Sequence, residues 1–203
     1  MKTLKSCPRR SLTALALLCL LAVGLGSLTQ TGDVAAASLT SRIEIQVTAK
    51  LSSQLDLVAA EAPLAKQSLL DLTNGTGTNQ ANTVWSDQRT IAASTTEDLD
   101  LAGGGLTDAF GVAFAPVKLK ALIVCASSGN TNNVVLGGDA NAVPILSAAA
   151  TTVTIQPKGC FVLTAPATAG IAVTAGTGDI LQVANSGAGT SVTYDIIVIG
   201  TTS

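Results

Sequence analysis

Apolar and polar side chains alternate with period two over much of this chain. In Arg42–Lys50 (RIEIQVTAK), Ile43, Ile45 and Val47 fall on one side and Glu44, Gln46 and Thr48 on the other. That pattern predicts a half-buried strand. Leu51–Leu72 is less regular, and EAPLAKQSLLDL within it reads either as a short helix or as a strand pair. NGTGTNQAN, residues 74–82, is a turn-rich loop. Thr83–Ala92 reads as a strand holding the one tryptophan, Trp85. In Thr95–Leu101, Leu99 and Leu101 share a face and Asp98 and Asp100 take the other.

Gly103-Gly104-Gly105 then breaks the chain. Val117–Ala126 (VKLKALIVCA) is the most strand-like run: Lys118 and Lys120 are expected to face out, and the later residues to be buried on both sides. Val134–Leu136, Thr151–Ile155, Cys160–Thr164, Ile171–Thr174, Ile180–Ala184 and Ser191–Ile199 complete the set, with glycine-bearing turns between them. Roughly nine or ten short strands with turns about every 8–12 residues predict an all-β fold, an antiparallel β-sandwich or jelly-roll-like barrel. Residues 83–203 are its domain. Residues 38–82 are a strand and an arm outside the compact part.

The first 37 residues follow a different rule. Lys2, Lys5, Arg9 and Arg10 precede an apolar run at 12–26, and Ala35-Ala36-Ala37 offers a small-residue cleavage site after Ala37. This is the order of a signal peptide. The run is shorter than the roughly 20 residues of a membrane span. The alternatives are an uncleaved apolar anchor helix and a start assigned too far upstream. Arg9-Arg10 resembles a twin-arginine signal only faintly, and Cys19 lacks a lipobox before it.

Composition sharpens the picture. Charged residues are 12% of the chain against 47% hydrophobic, about half the usual charged share of a soluble domain. From Ala121 to the end only Asp139, Lys158, Asp179 and Asp195 are charged. Such a surface either relies on Thr, Ser, Asn and Gly for solubility or is covered by neighbouring subunits. The net charge of −2 gives no basic footprint for nucleic acid.

No histidine is present, which removes Ser-His-Asp and Cys-His catalysis and most zinc sites. Paired carboxylates remain conceivable, as in glycosidases, and Glu97, Asp98, Asp100 and Asp108 are the candidates. A solvated strand face explains them better, and their spacing matches no calcium loop. The glycine clusters at 103–105, 137–138 and 176–178 lack the GK[ST] of a phosphate loop, so tight turns account for them. Asn74-Gly75-Thr76 is a glycosylation sequon that a turn explains equally well. Trp85, beside Ser86, Asp87 and Arg89, reads as a buried anchor or as one exposed aromatic site for sugar. Beyond residue 37, Cys125 and Cys160 remain, either as a disulfide or as two buried thiols. Alternation places Cys125 on the face of Leu119 and Ile123, and Cys160 opposite Phe161 and Leu163. No catalytic, cofactor-binding or metal-binding residue is assigned, and no cofactor.

From Ala81 onward the chain resembles small tailed-phage and prophage virion proteins. The stretches that carry this are ANTVWSDQRTIAASTTEDLDLAG (81–103), LTDAFG (106–111), VKLKALIV and GNTNNVVLGG within 117–138, and VTAGTGDILQVANSGAGTSVTYDIIVIGT (173–201). The resemblance implies a β-sandwich building block of a phage particle, a head decoration or tail-associated protein. It supplies no active-site residues. The signal-like N-terminus departs from it, because virion proteins assemble in the cytoplasm. The expectation is therefore a non-catalytic assembly protein that forms a homo-oligomer, a trimer or larger, and can contact other virion proteins. It binds no nucleic acid, and its mature domain no membrane. It belongs to the virion if the start is misassigned, and is secreted or on the cell surface otherwise. The alternative is an exported β-sandwich module that binds a surface polymer or carbohydrate.

Overall fold

The computed structural model describes residues 37–148 and 150–203. The signal-like or anchor segment expected at 1–37 lies outside the described residues up to position 36. Among the described residues the protein is all-β, with no helix. The strands are β1 (Ser41–Gln54), β2 (Ala59–Asn74), β3 (Gln80–Ala81), β4 (Thr83–Ile91), β5 (Thr96–Asp100) and β6 (Lys118–Ala126). They continue with β7 (Val134–Gly137), β8 (Thr152–Ile155), β9 (Cys160–Thr164), β10 (Ile171–Ala172), β11 (Ile180–Asn185) and β12 (Val192–Thr201). From β4 onward each strand falls on a predicted alternating run.

Three sheets result. A five-stranded sheet runs β10-β6-β12-β4, with β9 also paired to β6. A four-stranded sheet runs β5-β11-β7-β8. Pairing in both is antiparallel. Val192, Tyr194, Ile196 and Val198 alternate along β12 toward one apolar cluster, joined by Leu122 and Val124 of β6 and by Trp85 and Ile91 of β4. The four-stranded sheet sends Leu99, Leu136, Leu181 and Val183 into the same cluster. Each fully buried aliphatic side chain there contributes about 1.5–3 kcal/mol of transfer free energy.

The third sheet is β1-β2-β3. β1 and β2 pair in unbroken antiparallel register from Ser41↔Leu72 to Gln54↔Ala59. The ambiguous segment EAPLAKQSLLDL is thus strand throughout, and the helical alternative is excluded. The expected half-burial of Arg42–Lys50 fails beyond its first turn of the pleat: only Ile43 is buried, and every residue from Glu44 to Gln54 is exposed. Alternation here prepared an apolar face that the rest of the chain does not cover. The ribbon is anchored only at its root, where Ile43 and Leu72 pack with Ala81, Ala121 and Ile199. Ala121 and Ile199 are directly paired in the five-stranded sheet, so the root sits on that sheet's outer face.

A β-bulge controls this contact. β12 and β6 pair as Ile199↔Ala121 and then Gly200↔Leu119, which leaves Lys120 as the extra residue. One inserted residue exchanges the two faces of a strand beyond it. Leu119 therefore enters the main core with Leu122 and Val124, not the face of Ile123 and Cys125 as simple alternation places it. Gly200 is required at the crossing, because a Cβ there would stand 2.6 Å from the Lys118 carbonyl.

The bulge also buries Lys120 completely, against the expectation that it faces out with Lys118. Its Nζ donates to the carbonyls of Gly77, at 3.2 Å, and of Ala167. Burial lowers its pKa from the ordinary 10.5, and the Lys118 charge acts in the same direction. The same two loops are joined by Asn79 N–H donating to the Pro166 carbonyl (2.8 Å) and by a Thr78–Thr168 hydroxyl pair (2.8 Å). In the first loop Gly75 has φ 141°, and a Cβ would meet Gln80 Oε1 at 2.5 Å.

Cys125 and Cys160 form a disulfide across directly opposed positions of β6 and β9. It closes a 35-residue separation.

Two outcomes are expected in urea unfolding. Lys120→Ala leaves the Gly77 carbonyl without a donor, while Ala167 keeps the Gly170 N–H at 3.0 Å, and should cost about 1–3 kcal/mol; a loss within about 0.5 kcal/mol of zero would show that the cation ties nothing. Replacing Cys125 and Cys160 together with Ala should cost roughly 3–4 kcal/mol, from the chain-entropy term for a loop of this length.

Candidate functional site

The four candidate carboxylates do not converge. Asp98 and Asp100 project from the exposed side of β5 while Leu99 is buried, as their alternation predicts. Asp98 accepts a hydrogen bond from Gln182 across the strand pair, at 2.8 Å. Asp100 caps the turn after β5, accepting from the Ala102 and Gly103 N–H groups at 2.9 and 2.7 Å. Asp108 does the same for Phe110 and Val112, both at 2.9 Å. Each of these three is used locally, as short acidic side chains are in turns.

Glu97 differs, because it lies between the two larger sheets. It accepts from Arg89 of β4 through Nε (2.7 Å) and Nη2, and from the Tyr194 hydroxyl of β12 at 3.1 Å. Arg89 reaches Asp87 as well, at 2.7 Å. The carboxylates raise the Arg89 pKa, the Glu97 hydrogen bond most of all, against the opposing effect of burial. Burial raises the Tyr194 phenol above its ordinary 10.0, and the negative charge of Glu97 adds to that. The Glu97 carboxylate is held by the Arg89 guanidinium and the Tyr194 hydroxyl, so the cluster laces β4, β5 and β12 together.

The other sequence candidates resolve in the same direction. Trp85 is buried, with its ring centroid 6.2 Å from that of Phe114, and offers no platform to a sugar. Gly103 lies in a bend, Gly176 in a turn and Gly138 directly after β7, with no helix beside them among the described residues. Asn74 is exposed, and its Oδ1 accepts the Leu39 N–H at 3.2 Å. A recess of about 10 Å³ lined by Val143, Ile145, Leu146 and Leu181 is water-sized, far below the several hundred Å³ of a ligand pocket. Among the described residues no group of three or more Cys, Asp or Glu gathers as a metal site would require.

What stands out instead is exposed apolar surface. Opposed residues of an antiparallel pair share a face. One face of the β1–β2 ribbon therefore carries the rows Ile43/Leu70, Ile45/Ser68, Val47/Lys66, Ala49/Leu64, Leu51/Ala62 and Ser53/Ala60. Leu51 is 77% exposed and Leu64 56%. At the tip, Leu57 is 99% exposed. The opposite face holds the other charges of the paired strands: Arg42 pairs with Asp71 at 2.6 Å and Lys50 with Glu61 at 2.8 Å, and Glu44 accepts from Gln67 at 2.6 Å. Lys66 is the one charged side chain on the apolar face.

A second apolar area adjoins the root of the ribbon. On the outer face of the five-stranded sheet, the row Ile197, Ile123 and Val162 lies next to the covered pair Ile199–Ala121. Ile197 and Val162 are exposed. One row further, Asp195 pairs in register with Cys125, and it accepts from Gln88 at 2.8 Å. Sequence reasoning named neither area. The signal was present in the alternation from Ile43 to Leu51, but not the fact that nothing folds over it. Compared with known proteins, the chain matches no family model, no curated sequence and no solved structure.

Tyr194 is the only tyrosine, so tyrosinate absorbance reads it alone. The folded protein should ionise above pH 10.0, and the urea-unfolded chain near it. A raised folded pKa contributes stability that is complete below 10.0 and lost as pH rises through the folded value. Tyr194→Phe should remove that part of the alkaline loss. Ionisation of the folded protein at or below 10.0 overturns the buried-phenol assignment.

Proposed function

We propose that the chain is a non-catalytic structural component of a repeating assembly, a β-sandwich bearing a ribbon-like arm. The observation that carries this is the exposed apolar face of β1–β2. An isolated two-stranded ribbon is at best marginally stable in water, yet this one continues for ten paired rows beyond its buried root, from Ile45↔Ser68 to Gln54↔Ala59. At about 3.3 Å per residue that is roughly 33 Å of ribbon. Exposed contiguous apolar surface of this kind marks an interaction site. The low charge of the rest of the chain fits a body whose faces are covered by neighbours. The resemblance of residues 81–203 to tailed-phage virion proteins supports a place in a phage particle, as a head decoration or tail-associated subunit.

One observation favours a second reading, an exported module that binds a surface polymer or carbohydrate. The Cys125–Cys160 disulfide belongs to an oxidising compartment, and the signal-like residues 1–37 point the same way. The sequence of the mature N-terminus separates the two: a start at Ser38, or one that retains the apolar run as an anchor, favours export, and a translation start within the chain favours the virion.

Light scattering on purified residues 38–203 is expected to give a stable homo-oligomer, a trimer or larger. A clean monomer at micromolar concentration that is retained on a polysaccharide column would sink the assembly reading and leave the binding module.

A further inference from the structure

We propose that the apolar face of the β1–β2 ribbon docks on the outer face of the five-stranded sheet of a second copy of this chain, with Lys66 meeting Asp195. This rests on the assembly reading above and names its interface.

Three features of the two surfaces select this occupant. The first is charge. Lys66 is the single charged residue on the ribbon's apolar face, and it is exposed with no ion pair among the described residues. Asp195 is the single acidic residue among the outward positions of β4, β12, β6 and β9, the one other charge there being Lys118 beyond the bulge, and it too is exposed without an ion pair among the described residues. The second is spacing. On the ribbon, the Ala49/Leu64 row lies two residues from the Val47/Lys66 row. On the sheet, the Ile197/Ile123 row lies two residues from the Asp195/Cys125 row. Both steps are about 6.6–6.8 Å, so a charge seated on its opposite sets aliphatic on aliphatic in the adjacent row.

The third is area. Two strands about 4.8 Å apart and ten free rows long present a face of roughly 320 Å². A chain that gives its own ribbon and receives a neighbour's buries twice that, roughly 640 Å², at the lower end of a standard stable interface. The giving and receiving surfaces differ, so the contact is heterologous and generates a ring of three or more chains where the rotation closes and an open filament where it does not. Pro63 has no N–H to offer a neighbouring strand, which disfavours edge-to-edge pairing along β2.

The test is a charge-reversal cycle in the full chain, with association followed by sedimentation velocity across a dilution series. Lys66→Glu and Asp195→Lys should each weaken association by about tenfold or more through like-charge contact, and the double variant should recover most of it. Both side chains are exposed, and an unchanged Tyr194 titration shows that the fold is intact. Leu51→Asp together with Leu64→Asp should give a monomer at concentrations where the unaltered chain is assembled.

Assembly that ignores all of these substitutions overturns the ribbon contact and leaves the assembly reading standing. Two weakened single variants with no recovery in the double place the residues in separate contacts and overturn their pairing. A monomer at every concentration overturns both readings. So does a monomer whose ribbon leucines are needed for binding to phosphatidylcholine–phosphatidylglycerol vesicles, since lipid then covers the face.

Discussion

A cation without water and without a carboxylate is the constraint around which this fold is arranged. Lys120 is the residue left over at the bulge between β6 and β12, and the bulge turns it inward. No acid is placed beside it; the Gly77 and Ala167 carbonyls receive its protons instead. Those carbonyls lie 43 and 47 residues away in opposite directions along the chain, so satisfying one ammonium fixes two loops. The first loop follows directly from β2. Its position sets where the ribbon leaves the body, and Ile43 and Leu72 then fall on Ala121 and Ile199. An apolar residue at 120 would fill the same space but would leave the Gly77 carbonyl without a donor and Ala167 with the Gly170 N–H alone, which is the costlier state.

Strand positions were legible because period-two alternation and glycine turns are local properties. From β4 to β12 the strands coincide with alternating runs, and Leu99 between Asp98 and Asp100 is oriented as its pattern requires. The bulge was not legible. It depends on the register of β12 against β6, between residues about 80 apart, and one unseen insertion misassigned both Leu119 and Lys120. Leu51–Leu72 was ambiguous for a different reason. Ala59, Ala60, Ala62 and Ala65 favour helix intrinsically, and only pairing with β1 makes them strand. The candidate acids were legible as types but not as partners: nothing along the chain joins Glu97 to Arg89 and Tyr194 rather than to Asp98 and Asp100.

The distribution of charge gives the exposed surfaces their meaning. On the ribbon's polar face, Arg42 and Asp71 answer each other, as do Lys50 and Glu61. These exposed pairs add little stability, but with Glu44, which accepts from Gln67, they leave that face polar and wet. The apolar face has no such treatment, and its leucines run from the root to the tip. Elsewhere the outward surface is finished with neutral pairs, Thr90 with Thr193 and Thr131 with Thr190, at 2.9 and 2.5 Å. Hydroxyls hold water, but they supply no net repulsion between molecules. A chain so finished has one side of its ribbon closed by polar and ion-paired side chains and the other left apolar, with little charge elsewhere to oppose contact between copies. In the association proposed above, the alternation of β1 would complete the burial that the single chain leaves unfinished.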